Sequence, residues 1–178
     1  MIIEETRFKG LIKITNSDFV DERGVFKKTY SNKWNLEEFD VCLETNIVKN
    51  LLPGTVRGMH YQTKPFSETK LISVIQGRII DFVIDLRTSE QTYGEIFHIE
   101  LSSENNFQML IPKGFAHGYQ TLEENTIIIY SVDSNYVPSA EQGINPKSPQ
   151  IMSLFPKPIQ VMSDKDFSWP FLDEFLQC

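Results

Sequence analysis

The chain has few cysteines and no long apolar run, and both features limit the classes of protein to which it can belong. Its two cysteines, Cys42 and Cys178, cannot supply a disulfide framework, and Cys178, as the last residue, is expected to fray. No apolar stretch approaches the ~20 residues that span a bilayer, and residues 1–5 lack the basic and apolar regions of a signal peptide. We therefore predict a reducing, cytoplasmic location and no membrane contact.

The chain is also short of cations, because 17 Lys and Arg residues stand against 24 Asp and Glu residues, a net charge of −7. An acidic chain binds nucleic acid and anionic lipid poorly, so neither is predicted as a partner. A phosphate-bearing small molecule is compatible with this balance, since it needs only a few local cations.

Repeats, low-complexity tracts and linkers are absent as well, so residues 1–178 are predicted to form one domain. Aromatic residues, by contrast, make up 12% of the chain and lie in short strand-like runs separated by turns. Such spacing indicates a sandwich or barrel rather than βαβ units. We predict a mainly β fold, a jelly-roll β-barrel with a few short peripheral helices. Its core covers about 8–137, followed by a proline-rich segment 138–158 and a C-terminal segment 159–178.

Strands are predicted throughout the core, over Leu11–Thr15, Val25–Tyr30, Cys42–Val48, Thr55–Gln62, Leu71–Ile75, Arg78–Leu86, Ile96–Leu101, Phe107–Ile111, Gly118–Leu122 and Thr126–Val132. One helix is predicted over Asn32–Phe39, with Asn32 as its N-cap, and a short one over Phe167–Leu176. Residues 138–158 contain five prolines and are predicted to be irregular.

Only three histidines exist, at positions 60, 98 and 117, and two of them lie in informative runs. These runs are Arg57–Gln62 (RGMHYQ) and Pro112–Gly118 (PKGFAHG), and each adjoins a strand-like stretch. Histidine titrates near neutral pH, so two histidines on strands of one barrel suit proton abstraction or metal binding. The alternative for His60 is a structural ring that is simply hydrogen-bonded.

Three other residues have both a functional and a structural interpretation. Lys70 opens an apolar strand, where a cation needs a partner or a role, although a strand-end lysine can also keep its head in water. Alternation puts Tyr130 on the same strand face as Ile128, which fits a core tyrosine as well as a functional one. Asp166, on local grounds, is a helix N-cap.

The run Pro112–Gly118 contains Pro-x-Gly-x-x-His, which resembles the second sequence motif of the cupin superfamily. The first cupin motif carries His-x-His and a later Glu, but the matching place here reads His60-Tyr61-Gln62. His98 is predicted to face the surface. Because a full ligand set is missing, we predict no metal and favour proton transfer.

Taken together, the chain resembles the dTDP-4-dehydrorhamnose 3,5-epimerase family, which acts on nucleoside-diphosphate 4-keto-6-deoxy sugars. The match runs from about residue 8 to residue 172. An ordered set of pieces carries it: Asp21–Gly24, Arg57–Gln62, Thr69–Leu71, Gly77, Asp81, Asp85–Arg87, Leu101–Asn105, Pro112–Gly118, Tyr130 and Ser163–Asp166. The resemblance implies a metal-free cupin jelly roll that needs no cofactor and forms a homodimer.

The resemblance also implies roles at individual positions. His60 is similar to the catalytic base, and Asp166 to the carboxylate that orients it. Tyr130 corresponds to the acid on the opposite sugar face, and Lys70 to the cation that stabilises an enolate. The implied contacts to the diphosphate, sugar and nucleotide, some of them made across the dimer, are Arg23, Phe26, Lys28, Glu44, Asn46, Arg57, His117, Glu141 and Lys165.

Three positions depart from the family pattern. Glu44 stands where the family has the glutamine of Gln-x-Asn, Lys28 stands where it has a glutamate, and Pro146–Pro149 replaces a Trp-Asn-Asp-Pro stretch. Because Glu44 and Lys28 match the nucleotide end of the site, their altered charge suggests the hypothesis of a base other than thymine, or of a variant sugar.

Four other functions compete with 3,5-epimerisation. A C3-only or C5-only epimerase could act on a CDP- or GDP-linked 4-keto sugar. A 3,4-ketoisomerase uses the same barrel, but its closely packed histidine pattern is absent here. A metal-dependent cupin such as a dioxygenase would carry stoichiometric metal. A non-catalytic module would bind a sugar nucleotide without isotope exchange.

Overall fold

A computed structural model describes residues 1–37, 39 and 41–177. These residues form a mainly β fold, as predicted. The strands are β1 (Ile2–Glu5), β2 (Ile12–Thr15), β3 (Phe19–Asp21), β4 (Gly24–Phe26), β5 (Glu44–Asn50), β6 (Val56–Gln62), β7 (Lys70–Gln76), β8 (Arg78–Asp85), β9 (Ile96–Ser102), β10 (Phe107–Ile111), β11 (Phe115–Thr121), β12 (Thr126–Val132) and β13 (Glu141–Gly143).

The strands form two large antiparallel sheets and one small hairpin. The six-stranded sheet has the order β1-β2-β10-β7-β12-β5, the five-stranded sheet has the order β13-β6-β11-β8-β9, and β3 pairs with β4. Neither order returns to its first strand, so the ladders do not close into one continuous barrel.

The main core lies between the two large sheets. Ile72 and Val74 of β7 pack with Ile79 and Val83 of β8, and each is at most 3% exposed. Burying one such side chain stabilises the fold by about 1.5–3 kcal/mol. Apolar packing therefore fixes the two sheets face to face, and β7, β12, β6 and β11 then position the site described below.

The predicted helix over Asn32–Phe39 is wrong in extent. The structure has a single 3₁₀ turn over Asn32–Trp34, and the side chain of Ser31 caps it by accepting a hydrogen bond from the Lys33 backbone N–H. Asn35 then adopts a left-handed φ of 51°, which ends the turn. Glu38 lies outside the described residues. The predicted strand Val25–Tyr30 is also too long, since β4 ends at Phe26.

The C-terminal third contains more regular structure than predicted. Residues 138–158 include a 3₁₀ turn over Pro138–Ala140, strand β13 and helix α1 (Pro149–Met152). The predicted helix Phe167–Leu176 is wrong in extent, since α3 covers only Leu172–Leu176. A separate helix, α2 (Asp164–Phe167), ends where the prediction began, because Pro170 cannot continue a helix. Cys178 lies outside the described residues. Within the described ranges, no helix has the length and apolar character needed to cross a membrane.

Candidate active site

A cavity of about 610 Å³ opens between the two large sheets. All four residues predicted to be catalytic, His60, Lys70, Tyr130 and Asp166, line it. Six of the nine predicted substrate contacts line it too: Glu44, Asn46, Arg57, His117, Glu141 and Lys165. Residues that are up to 122 positions apart in sequence thus meet in one place, which no local pattern specifies.

The other three predicted contacts, Arg23, Phe26 and Lys28, do not line the cavity of their own chain. Arg23 lies in the turn of the β3–β4 hairpin, where its guanidinium pairs with Asp21 at 2.5 Å and stays largely exposed. Phe26 is 63% exposed. The chain therefore brings together ten of the thirteen predicted site residues and leaves apart Arg23 and Phe26, which are in the hairpin, and Lys28, which follows it.

Strand register brings the polar side chains of the six-stranded sheet to one face. Tyr130 on β12 lies opposite Asn46 on β5, and two residues on, Val132 lies opposite both Glu44 and Lys70. Side chains two residues apart share a sheet face, so Lys70, Tyr130, Glu44 and Asn46 all face the cavity. The alternation that placed Tyr130 beside Ile128 is confirmed, since both line the cavity.

In the five-stranded sheet, a β-bulge brings polar side chains to the cavity face. His60 pairs with His117, but the next pair is Arg57 with Tyr119, so β6 contains one extra residue. Residues three apart on a regular strand face opposite sides, and the bulge turns both Arg57 and His60 to the cavity. Gly58 adopts a φ of +132°, which L side chains rarely take.

A glycine on the neighbouring strand makes this bulge sterically feasible. A Cβ on Gly118 would lie 2.6 Å from the carbonyl oxygen of Arg57, and it would also collide with the sulfur of Met59. The glycines in the runs RGMH and AHGY therefore allow β6 and β11 to approach closely where the two histidines pair.

His60 is held by a buried carboxylate. Its Nε2 lies 2.7 Å from Oδ1 of Asp166, whose side chain is 4% exposed. An ionised carboxylate only accepts hydrogen bonds, so in the neutral imidazole the proton is on Nε2 and the lone pair is on Nδ1. The N-cap of α2 is Ser163, which accepts from the Asp166 backbone N–H at 3.1 Å, and not Asp166 as its local sequence predicts.

A second carboxylate lies near the other imidazole nitrogen. Oε1 of Glu141 is 3.9 Å from Nδ1 of His60, and its Oε2 accepts hydrogen bonds from Lys165 and from the hydroxyl of Tyr136. Burial raises the pKa of Glu141, but the bonds from Lys165 and Tyr136 outweigh burial and hold the pKa below its usual value. Glu141 is therefore an anion beside the imidazole.

Lys70 and Tyr130 share a neighbour that the sequence interpretation missed. Nζ of Lys70 lies 2.9 Å from Oε1 of Glu68, and both side chains are nearly buried. Burial first, and the Glu68 charge second, raise the pKa of Tyr130 above its usual value. The hydroxyl of Tyr130 is thus a proton donor across the neutral range.

His117 has a carboxylate partner of its own. Its Nε2 lies 2.7 Å from Oδ1 of Asp81, and both residues are buried. Asn50 accepts hydrogen bonds from the Arg57 Nε at 3.0 Å and from the Tyr119 hydroxyl at 3.3 Å. These contacts fix an imidazole and a guanidinium at the cavity wall, where they can contact an anionic ligand.

Sequence reasoning missed, or left without a role, four residues that line the cavity or contact its histidines: Glu68, Asp81, Tyr136 and Trp169. Glu68 could have been found, because it precedes Lys70 by two residues and so can share its strand face. Trp169 gives no local signal. Its indole fits against Gly143, which has no side chain, and meets the His60 ring edge-on at a centroid distance of 6.5 Å.

A bound metal ion requires several His, Cys, Asp or Glu side chains around one point. Among residues 1–37, 39 and 41–177, no group of three or more His, Cys, Asp and Glu side chains is arranged to hold a metal ion. His98 is exposed and its ring stacks on Phe82, as its predicted surface position implies. The arrangement of the cavity instead suits proton transfer, with an imidazole, an ammonium and a phenol at its lining.

Comparison with known proteins gives one consistent result. The family model of dTDP-4-dehydrorhamnose 3,5-epimerase matches residues 5–174. The chain is 36% identical over 160 residues to the dTDP-4-dehydrorhamnose 3,5-epimerase of Sinorhizobium fredii. This alignment covers 88% of this chain and 82% of that protein. It is 35% identical over 178 residues to the dTDP-4-dehydrorhamnose 3,5-epimerase of Methanothermobacter thermautotrophicus, and this alignment covers 96% of this chain and 94% of that protein.

Solved structures agree over the same length. The Bacillus anthracis dTDP-4-dehydrorhamnose 3,5-epimerase, with TDP and PPi bound, is 35% identical with a TM-score of 0.86, covering 96% of this chain and 98% of that one. A Legionella pneumophila epimerase in complex with dTDP-4-keto-L-rhamnose is 32% identical with a TM-score of 0.88, covering 97% and 93%. Sequence and fold together therefore assign this chain to the isomerases of the dTDP-4-dehydrorhamnose 3,5-epimerase family, to which it belongs.

Proposed function

We propose that this enzyme epimerises a nucleoside-diphosphate 4-keto-6-deoxyhexose at C3 and C5, converting dTDP-4-dehydro-6-deoxy-D-glucose to dTDP-4-dehydro-L-rhamnose. One observation carries the proposal: His60 with its partner Asp166, and Lys70 with Tyr130, line the same cavity. A C4 ketone acidifies the hydrogens on C3 and C5, so the reaction needs a base, a cation beside the oxyanion and an acid. For these three roles the cavity lining contains His60, Lys70 and Tyr130.

The proposed steps use only groups of this chain. Nδ1 of His60 removes the proton next to the ketone, the C–H electron pair forms a C=C bond, and the carbonyl π pair moves onto the C4 oxygen. Lys70 stabilises this enolate, an effect typically of ~3–4 kcal/mol for one preorganised donor. Tyr130 then donates a proton to the opposite face of the carbon and the ketone re-forms. The protons gained by His60 and lost by Tyr130 exchange with solvent, and the second carbon reacts in the same way.

Two observations support a nucleoside diphosphate as the nucleotide end of the proposed substrate. Relatives crystallised with TDP and with dTDP-4-keto-L-rhamnose favour a thymidine nucleotide. Arg57 and His117 supply hydrogen-bond donors suited to a diphosphate and its sugar. Glu44, whose carboxylate accepts from the Tyr136 backbone N–H at 3.3 Å, is the position at which a different base would be selected.

We also propose that the single-domain chain works as a homodimer. The β3–β4 hairpin exposes an apolar surface, with Phe19, Val20, Val25 and Phe26 each more than 60% exposed. Such a surface on a short hairpin favours a second copy of the chain. The hairpin also carries Arg23, which would reach the partner's cavity, so docking would complete a site that lacks it.

Deuterium exchange tests the proposed function directly. The enzyme is incubated in D₂O with dTDP-, CDP- and GDP-linked 4-keto-6-deoxy sugars, and deuterium at C3 and C5 is read by NMR. Wild-type enzyme is expected to exchange both positions of the dTDP sugar. His60→Ala is expected to abolish exchange, whereas Tyr130→Phe retains exchange and loses inversion, because only the returning proton is affected.

The third histidine provides a matched control. His98→Ala removes an exposed imidazole outside the cavity, so it is expected to keep wild-type exchange. Wild-type exchange in His60→Ala would reject the assigned base. Deuterium at one carbon alone would reduce the function to a mono-epimerase, and a faster reaction with CDP or GDP sugars would overturn the thymidine preference.

A further inference from the structure

Lys70 is not a free cation in the cavity. Its ammonium pairs with Glu68 at 2.9 Å, and the Lys70 and Glu68 side chains are 14% and 11% exposed. Water therefore screens this pair weakly, and ordered geometry is needed to keep both charges in place. A carboxylate so close to the cation that would face an enolate calls for an explanation.

Glu68 is itself held from the other side. Its Oε2 accepts a hydrogen bond from Nε2 of Gln62 at 3.2 Å. The two N–H bonds of the Gln62 amide, which is 4% exposed, are shared among Glu68 and the carbonyl oxygens of Phe66 and Asn135, each at 3.1 Å, and its own carbonyl oxygen accepts from the Val137 N–H at 2.7 Å. One oxygen of Glu68 is thus anchored to a rigid amide and the other is directed to Lys70.

We propose that Glu68 is a positioning residue, which holds the Lys70 ammonium at the cavity lining and places a negative charge near the acid Tyr130. This inference rests on the proposed function, since it assumes that Lys70 stabilises the enolate and that Tyr130 returns the proton. Glu68 itself need not touch the substrate.

Strand register supplies the link between Glu68 and Tyr130. Ile72 on β7 pairs with Tyr130 on β12, and Lys70 pairs with Val132, so Lys70 and Tyr130 are diagonal neighbours on one sheet face. Burial raises the pKa of Tyr130 most, and the charge of Glu68 raises it next. The other charged or titratable groups acting on this phenol are Glu44 on β5, Arg57 on β6, Tyr119 on β11 and Glu141 on β13.

Two substitutions separate position from charge. Glu68→Ala removes the anchor of Lys70. The rate of deuterium exchange in this variant is expected to fall at least about tenfold with little change in KM, because one charge-assisted hydrogen bond is lost. Glu68→Gln can still accept a hydrogen bond from Lys70, so it is expected to retain more exchange than Glu68→Ala. Because Glu68→Gln removes the negative charge, it lowers the pKa of Tyr130 and moves the alkaline limb of inversion to lower pH.

A titration independent of activity measures the same charge effect. The ultraviolet ionisation curve of Tyr130 is obtained as wild type minus Tyr130→Phe, and as Glu68→Gln minus the Glu68→Gln/Tyr130→Phe double variant. The phenol is expected to ionise at lower pH in the Glu68→Gln background. Glu124→Gln, an exposed position in the turn before β12, is the matched control and is expected to change neither curve nor rate.

The outcomes distinguish this inference from the proposed function. Wild-type protein that exchanges no deuterium with any of the sugars would refute the function itself. An active wild type with wild-type exchange in Glu68→Ala would overturn the positioning role. An unmoved Tyr130 titration in Glu68→Gln would overturn the charge role, and thermal unfolding confirms that each compared variant is folded.

Discussion

At the scale of single residues, the imidazole of His60 illustrates how neighbours select one nitrogen for chemistry. Asp166 accepts the proton of Nε2 at 2.7 Å, while Glu141 lies 3.9 Å from Nδ1 and is held there by Lys165 and Tyr136. The free lone pair is therefore on Nδ1, and positive charge that develops on the ring lies between two carboxylates.

Asp166→Asn tests this dependence. The amide keeps the size of the carboxylate but loses its charge, and its N–H₂ group can donate to Nε2 and so leave the proton on the wrong nitrogen. The rate of deuterium exchange, followed by NMR at several substrate concentrations, is expected to fall by about 10²-fold or more, with KM little changed. Asp164→Asn, an exposed position in the same helix, is the control, and equal losses in both variants would contradict the specific role.

At the scale of secondary-structure elements, most strands of the two large sheets were predictable, whereas β1, β3, β13 and the bulge in β6 were not. The period of apolar residues fixes segments such as Phe107–Ile111 and Thr126–Val132, which the structure reproduces to the residue. The predictions of the short helices were wrong in extent, because a single turn begins after Ser31 and ends at Asn35, and because Pro170 separates α2 from α3. These boundaries depend on capping and on tertiary contacts, which override local propensity.

The candidate site shows the same division between local and long-range information. Alternation could place Tyr130 beside Ile128, but nothing local brings Asp166 to His60, 106 residues away. The orientation of Arg57 and His60 to one face also depends on a bulge that exists only when β6 pairs with β11. Resemblance to a family supplied the relation of Asp166 to His60, but neither resemblance nor periodicity predicted the bulge.

Gly118→Ala tests the bulge. The backbone φ of Gly118 lies outside the left-handed region, so the added methyl group acts only through its collision with the Arg57 carbonyl and the Met59 sulfur. We expect a loss of about 1–3 kcal/mol in the free energy of unfolding, measured by urea denaturation. Reduced deuterium exchange should accompany it, because His60 shifts with β6. Unchanged stability would show that the two strands can separate without cost.

At the scale of the whole molecule, the proposed dimer predicts a site shared between two protomers, because the exposed β3–β4 hairpin holds Arg23 outside the cavity of its own chain. In a mixture of His60→Ala and Arg23→Ala protomers, a heterodimer whose hairpins cross keeps one cavity with both native residues. We expect activity to recover to about a quarter of wild type after random reassociation, measured by deuterium exchange. Each variant alone should have little activity.

The same mixture also tests the alternative arrangement. If Arg23 served the cavity of its own chain, each cavity of the heterodimer would retain one defect, and mixing would restore nothing. A mixture of His60→Ala with His60→Ala/Arg23→Ala protomers is the control, because no cavity in it contains a native His60. Light scattering before and after mixing checks that dimers form.

The division of the cavity between two sheets has a stereochemical consequence. His60 and Arg57 extend from the five-stranded sheet, and Lys70 and Tyr130 extend from the six-stranded sheet. A flat enolate lying between these walls would lose its proton toward one and regain it from the other, so the handedness of the product is set by which wall carries which group. Exchanging the base and the acid between the walls would leave proton exchange intact and reverse the preferred face of attack.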